Sequence, residues 1–349
     1  EGIDSIELNV TGPGMEQIEE SIEIGENSVT IEVPSGERRE FNIDITTSLV
    51  TFSGSAVEDL TAGEEEEITI PMDLSEIKML IPDTVNGRIV KIDDMNGAGW
   101  STTDFGYSNF APWDIDFDSQ GRVYLATSPA VAAPLIFRIG LLDEIPTVFH
   151  SGSLGFRSIA VDRINDIVYF SESNALFRSN LDLTDVEPIE TDIGVGAPIQ
   201  GISGLEVLDN GHLLIASDGR IDIYNPSGSG QIVVSDDSNY ENDSPFDFHY
   251  RNGFAYLSCS SGTSRIIRFD MRSSYSFNDT EEYNINVEGP KRFIETNSNA
   301  IIFIDENGQS YHRIISVSDI FGTDREEFGS YGTASDGPGK FEFFVDDGV

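Results

Sequence analysis

The residues of this chain that could do chemistry are mostly carboxylates. Its 349 residues include 62 Asp and Glu against 20 Lys and Arg, with four His and one Cys. Four of the acids recur at one place in repeated segments. Asp83, Glu172 and Asp305 stand three residues after Leu80, Tyr169 and Ile302, and Asp218 follows Ser217 at the equivalent point of another segment. Converging carboxylate oxygens hold hard cations such as Ca2+, so a fold that gathers these acids could build a calcium site. The simpler arrangement has each acid accept backbone N–H bonds within its own turn, which requires no convergence.

Other chemistries find less support. His150, His212, His249 and His312 fall at different strand positions in different segments, whereas a metal site needs ligands at one depth. Cys259 ends an apolar strand, the ordinary setting of a small buried side chain. No G-x-S-x-G nucleophile elbow occurs. The stretch GTASDGPGK (Gly332–Lys340) lacks the glycine spacing and following Ser or Thr of a phosphate loop, and reads as a turn. Asp114-Ile-Asp-Phe-Asp118 lacks the glycine of a calcium loop, and its alternation is that of a strand.

The elements that must position the acids are hairpins. MLIPDTVNGRIVKID (Met79–Asp93) is an apolar run, a turn on Asn86-Gly87 and a second alternating run. The pattern returns at Arg122–Gly140, Ile167–Asp182, His212–Asn225, Phe254–Asp270 and Ala300–Ser316. Five of these hairpins follow a further short strand whose closing turns, at Gly121, Asn165, Gly211, Gly253 and Asn299, are 44, 46, 42 and 46 residues apart. Fourth strands follow, as in PTVFHSG and QIVVSDD. Four antiparallel strands repeating every 40 to 45 residues or so is the period of a β-propeller blade. In such a ring the acid-bearing turns share a face with the starts of the inner strands. That face would carry Trp113, Arg157, Gln200, Phe246 and Arg292 as candidate ligand anchors.

The first hairpin lacks its leading strand, and the chain's other end can supply one. Val345-Asp346-Asp347-Gly348 aligns with the Leu208–Gly211 turn, so the C-terminal strand is expected to close a ring of six blades. Here MLIPDTVNGRIVKID resembles the NHL-repeat pattern of an apolar strand, Asp-Thr, Asn and Arg-Ile, and GPGKF (Gly337–Phe341) is similar to the glycine-rich lead into an NHL strand. The match is good for that composite blade, fair for Ala111–Gly152 and loose in the others. The resemblance implies a six-bladed NHL-like propeller over residues 74–349. It also implies two roles for the acids: caps of their own turns, as in NHL repeats, or a Ca2+ site at the channel mouth, as in six-bladed lactonases.

Residues 1–73 alternate on a strand period, with breaks at Gly12–Gly14 and Pro34–Gly36. Six or seven short strands are expected, forming a small β-sandwich that resembles immunoglobulin-like or prealbumin-like modules. Residues 73–77, without Gly or Pro, should be a short stiff joint. The fold class expected is therefore all-β, a β-sandwich followed by a six-bladed propeller. A net charge of −42 excludes nucleic acid and anionic membrane as natural partners. No apolar run approaches the ~20 residues of a membrane helix, and the chain opens on Glu1-Gly2 without a signal-like segment. By analogy with bacterial envelope and surface proteins the compartment expected is extracytoplasmic, with lipid anchorage through a segment outside this chain. The function expected is non-enzymatic: binding or scaffolding, with a protein or carbohydrate ligand on the propeller face. The alternative is a Ca2+-dependent hydrolase or lactonase.

Overall fold

The computed structural model describes residues 3–23, 29–47, 50–103, 111–127, 135–139, 147–151, 155–172, 175–189, 201–217, 219–227, 231–236, 244–260, 264–272, 277, 280–283, 287–294, 300–307, 311–319 and 321–343. The chain divides into two compact units, one built on the residues up to Lys78 and one on the residues from Met79.

The first unit is one antiparallel sheet of five strands in the order β2-β1-β3-β4-β5, with β1 Ile3–Thr11, β2 Ile18–Ser21, β3 Gly36–Thr47, β4 Val50–Leu60 and β5 Met72–Ile77. Leu8, Val10 and Phe41 form its buried core, with Ile31, Val33, Ile68 and Ile70 packed against them. Those four residues lie in 29–35 and 64–71, which alternate like strands yet join no ladder. The described residues therefore make a single sheet covered by loops where two sheets were expected. The cover is fixed by buried Arg39, which donates to the carbonyls of Pro13 (2.8 Å), Pro34 (2.9 Å) and Ser35 (2.8 Å). Residues 73–77, read as a joint, are part of β5 and pair with β4.

The second unit opens with the three-stranded sheet β6-β7-β8, made of Met79–Asp83, Arg88–Ile92 and Ser101–Thr103. Gly87, at φ 64°, supplies the left-handed residue that the tight β6–β7 turn requires. Five four-stranded antiparallel sheets follow, their first strands being Pro112–Phe117, Phe156–Asp162, Gly204–Val207, Pro245–Arg251 and Pro290–Phe293. Each of these inner strands lies against the next. At Gly204 the approach is so close that a Cβ would stand 2.6 Å from Asp247 Cα. Buried aliphatic and aromatic side chains fill the space between neighbouring sheets, as the alternating pattern of each hairpin requires. This is the radial packing of a β-propeller.

The two ends of this unit meet. Phe341 and Phe343 share a core with Met79, Ile81 and Val90 of the first sheet and Ile302, Ile304 and Ile314 of the last four-stranded one. The Val85 N–H donates to Glu342 O at 3.0 Å, Arg88 Nη2 to Lys340 O at 2.7 Å, and the Phe343 N–H to His312 Nδ1 at 3.0 Å. The turn expected at Val345–Gly348, after the closing strand, lies outside the described residues.

Candidate functional site

The recurring acids of the hairpins sit opposite arginines. In the β6–β7 ladder Asp83 faces Arg88 directly, and in the last four-stranded sheet Asp305 faces Arg313. Asp83 is wholly buried and accepts Arg88 Nε at 2.7 Å, Asn86 Nδ2 at 3.0 Å and the Glu342 N–H at 2.8 Å. Burial pushes its carboxyl above the ordinary value, against the pull of the Glu342 N–H and Arg88. Asp305, also wholly buried, accepts the Glu288 and Gly289 N–H groups at 2.9 and 3.0 Å and Arg313 Nε at 2.9 Å. Asp305 thus ties its hairpin to the residues that lead into the first strand of its own sheet, and Asp83 ties its hairpin to Glu342, far along the chain.

The oxygens of these two acids are met by a guanidinium and backbone amides, and for Asp83 by the Asn86 side chain as well, each acid within its own part of the propeller unit. Glu172 ends a strand in another sheet and is half-buried, and Asp218 lies outside the described residues. Among the described residues no three His, Cys, Asp or Glu come together as a metal would require. Arg88 and Arg313 escaped the sequence reading. The signal was the hairpin spacing, which sets Arg88 across a four-residue turn from Asp83.

Three of the candidate anchors, Trp113, Phe246 and Arg292, come together in the middle of the ring, and a fourth, Arg157, contributes its backbone carbonyl. Arg292 is 4 % exposed, and its guanidinium carbon lies 5.3 Å from the Trp113 ring and 5.4 Å from the Phe246 ring. The two rings stand 6.4 Å apart. Arg292 Nη1 is 3.1 Å from Asp114 Oδ2 and 3.8 Å from Asp247 Oδ1, while Nη2 donates to the carbonyls of Arg157 and, at 3.3 Å, Ser203. One side chain therefore touches the inner strands of the other four four-stranded sheets or the residues beside them. Asp114 Oδ2 also accepts the Ser158 hydroxyl and the Ile159 N–H, both at 2.9 Å, and Ser158 Oγ accepts the Leu205 N–H at 2.8 Å. Asp247 Oδ2 accepts the Phe293 N–H at 3.0 Å. Gln200, the fifth candidate, lies outside the described residues.

What remains open there is slight. Beside Arg292, a hollow of about 20 Å3 is lined by Thr84, Trp113, Phe246, Lys291, Glu306 and Phe343 among others, which is room for one water. Lys291 Nζ lies 4.7 Å from the Phe246 ring. The aromatic and cationic groups expected to meet a ligand are thus largely occupied with one another. Phe246 and the neighbouring Lys291 are half-buried, as is Arg157.

No protein-family model matches the chain, and no curated protein does. Among solved structures, it is similar to a chain of a nidogen/laminin complex, at 14 % identity and a TM-score of 0.54, over 70 % of this chain and 89 % of that one. A virginiamycin B lyase from Staphylococcus aureus matches at 15 % identity and a TM-score of 0.48, over 78 % and 90 %. The PQQ-bound aldose sugar dehydrogenase from Streptomyces coelicolor also gives 15 % and 0.48, over 72 % and 90 %. At these identities the likeness is one of fold. The chain is a β-propeller protein, similar in architecture to a chain of a nidogen/laminin complex.

Proposed function

We propose that this protein is a non-enzymatic, extracytoplasmic binding or scaffold protein that presents the propeller face around Phe246 and Lys291 to a protein ligand. The observation that carries this reading is the filled centre. Small-molecule sites are clefts of roughly 300 to 1,000 Å3, whereas the described residues leave a water-sized hollow beside Arg292. A face of that shape suits the surface of a macromolecule. The likeness to a chain of a nidogen/laminin complex makes protein binding a natural use of the fold. A six-bladed ring, with the C-terminal segment that begins at Gly337 supplying the innermost strand of the β6–β8 sheet, belongs to the same proposal. So does the Ca2+-dependent hydrolase as its rival, for which the turn acids would have to exchange their arginines for a cation.

The test is a peptide and protein array probed with the wild type and with Lys291→Glu. The reading expects capture of a protein ligand that the charge reversal abolishes, with the melting temperature held within a few degrees. Ca2+-dependent turnover of lactones or esters by the wild type would overturn it.

A further inference from the structure

The centre of the ring sets two buried carboxylates against one guanidinium. Asp114 and Asp247 are 8 % and 5 % exposed, and among the described residues the ion pairs of both run to Arg292. Their supply of donors is unequal. Asp114 accepts the Ser158 hydroxyl, the Ile159 N–H and the Ile115 N–H, and its Oδ2 is in ionic contact with Arg292 Nη1 at 3.1 Å. Asp247 has the Phe293 N–H on Oδ2 and the neighbouring Phe248 N–H, and its Oδ1 is 3.8 Å from Nη1, beyond hydrogen-bond length.

Several other titratable groups on the surrounding strands have partners of their own: Asp116, for one, pairs with Arg163 at 2.7 Å. Lys291 lies on the Phe246 ring, and His249 stacks on Phe293 with centroids 5.7 Å apart. Glu206 accepts the Val207 N–H at 3.2 Å, and Cys259 is sealed in an apolar core. Glu306 lines the neighbouring hollow. Ser258 Oγ accepts the Asp247 N–H at 3.1 Å, bonding the main chain of that residue.

Two ionised carboxylates against one guanidinium would leave a net negative charge almost wholly out of bulk water, and an unpaired charge in such a place is costly. We propose that the channel centre is a one-proton lock, in which Asp247 holds a proton at neutral pH and its loss at higher pH loosens the join between the inner strands. With the proton in place the group is neutral overall, Arg292 balancing Asp114. Without it, a second negative charge faces Asp114 across a guanidinium already bonded to two carbonyls. Burial raises the Asp247 carboxyl well above its ordinary value, Arg292 opposes this and Asp114 adds to it. The sign follows from linkage. Between the ordinary carboxylate value and the raised one the folded chain binds one proton more than the unfolded chain, so stability falls as pH rises through that window.

The experiment uses the full chain labelled with 13C at Asp Cγ. One aspartate resonance should titrate well above the rest and vanish in Asp247→Asn. The same proton should change the wild-type unfolding constant about tenfold per pH unit within the window, a slope missing from Asp247→Asn. Asp114→Asn, which removes the repulsion, should bring the raised resonance down. If Asp247→Asn does not fold, the wild-type titration and Asp114→Asn still decide. The lock is refuted if every wild-type aspartate titrates in the ordinary carboxylate range, or if Asp247→Asn keeps the slope.

Discussion

Replacing Arg292 by Met keeps much of the side chain's bulk and removes the charge that the inner strands share. Breaking a buried ion pair by removing one partner costs about 3 to 5 kcal/mol, because the other charge stays buried. Two more losses overlap with it: the carbonyls of Arg157 and Ser203 each lose a donor, at roughly 1 to 3 kcal/mol apiece if left unsatisfied, and contact with the Trp113 and Phe246 rings contributes about 0.5 to 1 kcal/mol each. These terms are not independent, and Asp114 keeps the Ser158 and Ile159 donors. The expected loss is therefore about 4 kcal/mol, the middle of the ion-pair range, or roughly 8 to 16 °C in melting temperature for a domain of this size. Urea unfolding followed by tryptophan fluorescence is suited to the measurement, since both tryptophans, Trp100 and Trp113, lie in the propeller unit. The deficit should narrow as pH is lowered, when a buried carboxyl deprived of its guanidinium can take up a proton. A loss below about 1 kcal/mol, the worth of a solvent-exposed pair, would refute the assignment of Arg292 as the tie between inner strands.

Gly204→Ala should cost about 1 to 3 kcal/mol by overpacking, because the new Cβ would stand 2.6 Å from Asp247 Cα and 2.7 Å from Phe246 O, and backbone cannot step aside as a flexible side chain can; the urea midpoint checks it. In the first unit, Arg39→Ala should release the loops holding Pro13, Pro34 and Ser35, seen as faster amide exchange and proteolysis confined to residues 12–36, while the propeller's tryptophan transition stays put. Asp305→Asn should lose about 1.5 to 3 kcal/mol, the usual worth of hydrogen bonds to a charged group, with the same response to added Ca2+ as the wild type. A Ca2+-induced rise in melting temperature that the variant loses would show that Asp305 holds a cation rather than its turn.

The hairpins were legible because short apolar runs, buried at every residue in strands such as Met79–Asp83 and Leu213–Ser217, are bounded by turn residues, and because Asn86-Gly87 marks a turn only a left-handed residue completes. Their radial packing was legible from the repeat. The pairing of Asp83 with Arg88 was harder to see: the two are five residues apart along the chain, and only the ladder register makes them opposite neighbours. Trp113, Phe246 and Arg292 were placed on one face from their equivalent positions in the repeat, but not their burial. An arginine at the start of an inner strand has the same local sequence whether it extends to solvent or across the channel, and what turns it inward, Asp114 and Asp247, lies in other sheets. In the first unit, Ile31, Val33, Ile68 and Ile70 alternate because they cover an apolar face, which loops can do as well as strands.

The bond from Arg88 to the carbonyl of Lys340 spans 252 positions of sequence, and so orders events during synthesis. At 5 to 20 residues per second, roughly 12 to 50 s separate the emergence of the first hairpin from that of the segment it must bond. Throughout that interval Met79, Ile81 and Val90 have formed strands but lack Phe341 and Phe343, and each completed sheet adds to a ring that is still open on the apolar side of its first member. The nascent chain therefore carries an unpaired hydrophobic face for most of its translation, and a chaperone or a transient contact of that face has tens of seconds in which to act before the ring closes.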